Sequence, residues 1–394
     1  MRQIACVLLG LAAGCASTGN EARVRRQAES VVWGAMASPS PTMRERATRI
    51  TADVADPLLD RGLGARLADP SASVRATAAV ALAQQLPAAA DVLRQILDGN
   101  DAAAKVIAID AIGAIEDGKA RLPALAADAD LRVRARAATA IAQWKPEGAR
   151  ALLDKLLRDE DAGVRGQALA ALARYGDRSA LGEIAAALED RSLGVRLAAL
   201  GALVRVGRDA VGDRLLALGA GKDQYVALRA AVQLSHDGRG GAALPAVRAA
   251  ADDRDPAVRA AAMNAAGELG AAGYPLATAH LGDPDVDVRL AAARATIASG
   301  HHDEALPALV GALGTSRRLD AADELARLGD ARGLTVLQTS ARATDPQERR
   351  AAIMLLAPIL EGRSTLETAL GDADAEIRLD AAGALLRKMM RYER

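Results

Sequence analysis

Residues 159–172 read DEDAGVRGQALAAL, and residues 190–203 (DRSLGVRLAALGAL) and 253–266 (DRDPAVRAAAMNAA) repeat the arrangement. In each, an aspartate stands six residues before an arginine and a valine immediately before it, and apolar residues follow the arginine at three, four and seven positions. Steps of three and four place those side chains on one stripe of a helix, which is buried against a neighbouring helix. The basic residue recurs at Arg44, Arg75, Lys105, Arg134, Arg165, Arg196, Arg259, Arg289, Arg318, Arg350 and Arg378, with Ala227 filling the seventh of twelve steps. The steps are 28 to 32 residues apart. A period of about 30 residues predicts a repeat array in which each unit contacts only its neighbours.

The interval from aspartate to arginine is kept at Asp69/Arg75, Asp128/Arg134, Asp159/Arg165, Asp190/Arg196, Asp253/Arg259, Asp283/Arg289 and Asp372/Arg378. An aspartate in that turn can accept from the free N–H groups that open a helix, where negative charge is favoured. Forked guanidiniums bridging successive turns would align the repeats, so the row reads as a structural ladder. Because every such arginine arrives with a carboxylate, it does not read as a polyanion track. Eleven residues past the ladder position a glycine returns at Gly176, Gly207, Gly238, Gly270, Gly300 and Gly329, as a helix end in the left-handed conformation requires. A second apolar-periodic segment often follows, as in residues 179–188 and 334–341, so each unit is expected to hold two helices and two turns. Three residues past the ladder stand Ala78, Ala108, Ala137, Ala168, Ala199, Ala230, Ala262, Ala292, Ala321, Ile353 and Ala381, and side chains so small imply close helix approach.

The D-x-x-x-V-R-x-x-A-x-x-A-L unit, over residues 22–390, resembles the HEAT-repeat superfamily, especially its short phycobilin-lyase-type form. The resemblance implies an all-α, right-handed superhelical solenoid of about twelve two-helix repeats, whose concave surface most members use to bind other proteins. It also brings enzymatic relatives, including lyases acting on tetrapyrroles and alkylpurine glycosylases. At helix spacings of about 8 to 10 Å, twelve units would form a curved rod on the order of 100 Å long.

Lysine plus arginine equals aspartate plus glutamate at 50 each, so no net charge steers the chain to nucleic acid. Phenylalanine is absent and aromatics make up 2%, which removes the stacking platforms that bases need. Residues 1–15, MRQIACVLLGLAAGC, differ from the rest: Arg2 precedes an apolar run from Ile4 to Ala13. Ten residues are too few to span a bilayer core, which needs about 20, and fit a signal peptide instead. Ala12-Ala13-Gly14-Cys15 resembles a bacterial lipobox, with Ala12 where that motif most often has leucine. The resemblance implies acylation of Cys15 and removal of residues 1–14, and Ala16 after the cysteine implies an outer-membrane destination on the periplasmic face. Cys6 would leave with the signal, making Cys15 the sole cysteine of the mature chain. Residues 15–20 then form the tether, and its five residues after Cys15 reach at most about 17 Å to the array at 21–394.

Of the four histidines, His236, His280, His301 and His302, none lies in HExxH, and no His-Glu dipeptide occurs, which opposes metalloprotease and di-iron hydroxylase chemistry. No G-x-S-x-G frames a nucleophile, and the run at 238–241 lacks the lysine and serine of a phosphate loop. Neither catalysis, cofactor nor metal is expected. Positions two and nine past the ladder fall on nearly one helix face. In the central units they read Arg136 and Gln143, Gln167 and Arg174, Ala198 and Arg205, Arg229 and His236, with Trp144 and Tyr175 one residue further on. Arginine and large aromatics suit a protein interface, so Arg136, Gln143, Trp144, Arg174, Tyr175, Arg205, Arg229 and His236 form the candidate partner-binding patch. The aromatics could equally plug gaps at helix ends. The seventh step, with Ala227 and Gly221 in place of arginine and aspartate, reads as a joint or a degenerate unit. The basic end at Arg387, Lys388, Arg391 and Arg394 reads as a terminal cap. The functional expectation is a lipid-anchored, non-catalytic scaffold for protein partners in the bacterial envelope. The alternatives are a spacer or assembly factor there, and a HEAT-like lyase.

Overall fold

A computed structural model describes residues 20–54, 57–176, 178–207, 212–221, 223–236 and 240–392. Residues 1–14 and Cys15, which carry the export and lipidation expectations, lie outside them, as does Gly238. Helices joined by short turns and 3₁₀ segments make up the fold, and no strand occurs among the described residues. The first half of the chain forms α1 (20–36), α2 (Pro41–Val54), α3 (Pro57–Arg66), α4 (Ala72–Leu82), α5 (Pro87–Asp98), α6 (Ala102–Ala108), α7 (Leu122–Leu125), α8 (Leu131–Trp144), α9 (Ala149–Leu156), α10 (Ala162–Tyr175), α11 (Leu181–Ala186) and α12 (Leu193–Gly207). The second half forms α13 (Gly212–Gly219), α14 (Gln224–His236), α15 (Gly240–Ala251), α16 (Pro256–Glu268), α17 (Tyr274–Ala279), α18 (Val286–Ala298), α19 (His302–Ala312), α20 (Arg318–Arg327), α21 (Ala331–Ser340), α22 (Pro346–Leu356), α23 (Arg363–Ala369) and α24 (Ala375–Tyr392). Every even-numbered helix carries a ladder position, and every odd-numbered helix is the second segment of a repeat. The chain is an all-α solenoid of two-helix repeats.

Local chemistry fixes the ladder helices. The residue before the ladder position is buried in Val74, Val133, Val164, Val195, Val226, Val258, Val288 and Ile377. The alanine three past it is fully buried at 47, 78, 108, 137, 168, 199, 230, 262, 292, 321 and 381, and a larger side chain there would push neighbouring helices apart. In the eleventh unit Arg349, not Arg350, holds the ladder position: it donates to the Ala343 and Thr344 carbonyls and to Asp372. That register puts fully buried Ala352 at the third position and removes the exception at Ile353. Gly176 ends α10 with φ +80°, its N–H donating to the Leu172 carbonyl. At the equivalent place after α8, Lys145 adopts φ +46°, a conformation that strains a residue with a Cβ.

The ladder is built differently from the pairing within each repeat that the sequence suggests. Each ladder aspartate accepts from the N–H two residues on, as Asp159 does from Asp161 and Asp283 from Asp285. The helix is then capped by that second residue: Asp130, Asp161, Asp255 and Asp285 accept from the first-turn N–H groups. The arginine six residues on meets its own aspartate through the backbone carbonyl only, at 2.6 to 3.0 Å for Arg75, Arg134, Arg165, Arg196, Arg259, Arg289 and Arg378. In Arg134, Arg165, Arg196 and Arg259 the fork points forward to the carboxylate of the next repeat, whereas Arg75, Arg289 and Arg378 donate only to their own turns. Arg134 donates to Asp159 at 2.8 and 3.0 Å, Arg165 to Asp190 at 2.9 Å twice, and Arg259 to Asp283 at 2.9 Å twice. Lys105 reaches Asp128 at 2.7 Å. One guanidinium thus ties the opening turn of its own repeat to the opening turn of the next.

The chain divides into two compact units, Leu93–Leu328 and a second made of Met1–Val92 with Gly329–Arg394. In Leu93–Leu328 the ladder helices stack in chain order from α6 to α18, and α20 joins them through α19. The seventh step, a break in the sequence pattern, keeps both of its rungs. Arg196 donates to Asp223, which stands at the cap position of α14 and also accepts from the Val226 N–H. Gln224 then takes the arginine's part, its side-chain amide donating to Asp253 at 2.7 Å.

In the second unit the first and last ladder helices are stacked together, which neither a rod with free end repeats nor a charged terminal cap would give. α24 packs on α22 on one side and on α2 on the other, and α2 continues to α4. The first repeat therefore stands where a thirteenth would. Arg46 of α2 pairs with Glu376 at 3.0 Å and with Asp380 of α24. Ile50 packs against Gly383, and Arg363 at the start of α23 reaches Glu21 of α1 at 3.4 Å. Arg387 lies 3.8 Å from Asp53, and Lys388 donates to the Ile359 carbonyl, so these cations serve contacts between repeats. The side chain of Arg391 and residue Arg394 lie outside the described atoms.

Candidate partner-binding face

In Leu93–Leu328, successive ladder helices pack directly on one another: α8 on α10, α10 on α12, α16 on α18. The second helices of successive repeats touch far less. When one row of a helical array is crowded and the other splayed, the crowded row lies inside the bend. The ladder helices therefore supply the inner face of this unit. Side chains two residues before the ladder position and two, five and nine after it follow steps of four, three and four, and share one stripe.

On α10 that stripe is Gly163, Gln167, Ala170 and Arg174, all exposed; on α12 it is Gly194, Ala198, Gly201 and Arg205. A Cβ on Gly201 would meet nothing within 4 Å, so the floor between the arginines is low and open. Position spacing gave the arginines but not this floor, because glycine and alanine on a helix first read as packing residues. A search for small residues at exposed stripe positions would have found it.

The structure separates the eight candidate residues into three groups. Arg174, Arg205 and Arg229 are exposed and make no ion pair with any described residue, and Gln143 is exposed beside them. Two candidates belong to pairs between repeats: Arg136 is held by Asp110 of the preceding repeat, and His236 lies 3.4 Å from Glu268 of the following one. Further along, Arg294 pairs with Glu324 at 2.6 Å and Arg317 with Asp287. Carboxylates at Asp110 and Glu268 thus bound the stretch in which arginines stand unpaired. Trp144 and Tyr175 form the third group, half-buried side chains that pack between neighbouring repeats. The Trp144 ring fills the space where Gly113 lacks a Cβ, and Lys145 Nζ sits 4.9 Å above the Tyr175 ring. Both plug gaps at helix ends.

Ladder carboxylates carry a distinct electrostatic signature. The guanidiniums of Arg134 and Arg165 hold Asp159 and Asp190 below the usual carboxylate range, against a burial penalty and with help from a backbone N–H. The Arg132 guanidinium and N–H lower Asp130 to about 2. Lowered carboxylates such as these cannot serve as proton donors at neutral pH.

The remaining histidines have local partners. Both ring nitrogens of His280 face backbone carbonyls, of Leu276 and Ala251. His301 stacks on Tyr274 at 3.9 Å, and the Tyr274 hydroxyl donates to Glu304 at 2.8 Å, which raises the Tyr274 pKa. Among the described residues no three His, Cys, Asp or Glu side chains converge as a metal site would need. A groove of about 540 Å³ opens at the seventh step between α13, α14 and α15, floored by Ala227, Ala246 and Ala250. Among the described residues no helix is long and apolar enough to cross a membrane.

A family model of HEAT repeats matches residues 118–203 and, overlapping, 150–235, the stretch that holds the unpaired arginines. No curated protein matches the chain in sequence. Among solved structures the chain is similar to the CpcE–CpcF complex of phycocyanin lyase from Nostoc sp. PCC7120, at 21% identity and a TM-score of 0.35, over 62% of this chain and 94% of that one. It is similar to human deoxyhypusine hydroxylase at 19% identity and a TM-score of 0.29, over 63% and 95%. Similarity to Kap121p bound to Nup53p spans 91% of this chain and 48% of that one, at 13% identity and a TM-score of 0.40.

Proposed function

We propose that this protein is a non-catalytic HEAT-repeat scaffold that binds a protein partner on the inner face of its ladder helices, held to an envelope membrane by lipid on Cys15. One observation carries the binding site: Arg174, Arg205 and Arg229 stand exposed over a glycine and alanine floor, while Arg136 and Arg294 to either side are paired with carboxylates of neighbouring repeats. A guanidinium left without a carboxylate offers its donors to a partner, and the low floor lets the partner's backbone approach. The anchoring part of the reading rests on the lipobox-like sequence at residues 12–15.

Crosslinking in intact membranes, followed by capture of this protein, tests the site. Substituting Arg174, Arg205 and Arg229 together by alanine should remove the crosslinked partner while leaving the helical content unchanged. Undiminished capture would sink the site. Metabolic labelling with a fatty acid should mark the wild-type chain and not Cys15→Ser, and recovery of wild-type protein only in the soluble fraction would overturn the anchor.

A further inference from the structure

The junction of α24 with α2 joins two different faces of the chain. One presents Arg46 and Ile50; the other presents Glu376, Asp380 and the bare backbone of Gly383, which lets the Ile50 side chain lie close. A pair of unlike, complementary faces is a heterologous interface, and its chemistry is the same whether both faces belong to one chain or to two. Within one chain the faces meet because they are tethered, at an effective concentration typically in the millimolar range.

This junction lacks the forward rung that Arg134, Arg165, Arg196 and Arg259 make, as does the step at Arg289, whose guanidinium donates only to its own turn. Arg378 donates to its own turn, at Asp372 and Ala373, and its fork meets no carboxylate of the first repeat. Ser38 occupies the position six residues before Arg44 where a ladder aspartate would stand, and its carbonyl and that of Pro39 accept from Arg44. What replaces the rung is a cluster in which Arg46 and Arg350 share Glu376 and Asp380. Glu376 and Arg350 are about half exposed, so salt screens this cluster far more than a buried rung.

We infer that the α24 and α2 faces also join separate copies of this chain head to tail, with α24 of one copy packed on α2 of another. The partner is a second copy, because each copy carries both halves of the charge and shape match. Raised chain concentration shifts the balance from closure within a chain to exchange between chains, and raised salt, which weakens the same contact in both forms, speeds the exchange without shifting it. The inference is independent of the partner-binding site proposed above and uses none of its residues.

A disulfide experiment on the full chain tests it, with Cys6 and Cys15 replaced by serine so that only introduced thiols react. Ile50→Cys and Gly383→Cys in one chain should crosslink within that chain at low concentration, which verifies the junction. Ile50→Cys and Gly383→Cys in separate chains, mixed, taken briefly through mild denaturant and oxidised, should give a species of two chain masses on a non-reducing gel. Its share should rise with chain concentration, and neither variant alone should form it. Light scattering on the chain without introduced thiols should show mass growing from one chain toward two over the same range. The inference is overturned if the doubly substituted chain fails to crosslink internally. It is equally overturned if the mixture and the unsubstituted chain stay at one chain mass throughout.

Discussion

The junctions α10–α12 and α24–α2 join equivalent helices by different means. Inside the array Arg165, itself buried, donates twice to Asp190 and twice to carbonyls of its own turn, so one side chain fastens two turns in two repeats. Where the first repeat meets the last, that fastening is absent, and partly exposed arginines share two carboxylates instead. Any repeat could in principle follow any other, since all present the same stripe. A rung that needs both an arginine and the next repeat's aspartate fixes order and register, and its absence leaves a contact that the ends can make without being locked.

That contrast can be broken most directly at its strong side. Arg165→Ala removes four hydrogen bonds and leaves the partly buried Asp190 without its guanidinium, and should cost on the order of 2 to 4 kcal/mol in urea unfolding. A loss below about 1 kcal/mol would mean that the rung decorates the stack without holding it. Acid should act on the same rungs collectively. Guanidinium bonds lower Asp159 and Asp190 in the folded state, so their stabilisation is complete above the unfolded carboxylate value of about 4 and is lost as pH falls through the lower folded value. The urea midpoint should therefore drop below about pH 4, and drop less steeply in Arg165→Met.

Two glycines sharpen the comparison further. A Cβ on Gly267 would stand 3.1 Å from the backbone Cα of Ala295, where α16 meets α18, so Gly267→Ala should cost about 1 to 3 kcal/mol. A Cβ on Gly383 would meet only the tip of Ile50 at 3.0 Å, a side chain able to turn away, and Gly383→Ala should cost less than about 1 kcal/mol. Equal losses would argue that the two junctions are packed alike. Smallest of all, Arg46→Ala should destabilise by about 1 kcal/mol or less at low salt, and by less still at high salt. Hydrogen exchange in α2 and α24 should rise in this variant while exchange in α10 and α12 stays unchanged.

Much of this was legible because a repeat averages its own signal. Valine before the ladder position and alanine after it recur often enough to define two helices and the buried stripe. The eleventh unit shows the limit: Arg349 and Arg350 are adjacent, and only the contact with Asp372 tells which one is the rung. At the seventh step the sequence rule finds glycine and alanine where it wants aspartate and arginine. The structure finds Asp223 and Gln224 doing the same work from neighbouring positions. In the candidate site, spacing selected eight residues and could not separate exposed arginines from plugs, since Trp144 and Tyr175 are turned inward by neighbours outside their own repeat pattern.

The sequence by itself determined the helices, the two-helix repeat, the alanine-lined contacts and the presence of a paired arginine and aspartate row, because each depends on residues within one period. Tertiary structure decided which arginine meets which aspartate, which face is left open, and that the first repeat stacks on the last. Those depend on residues in other repeats, from 23 residues away for Arg349 and Asp372 to 342 for Glu21 and Arg363, and the larger separations are ones over which no local periodicity carries information.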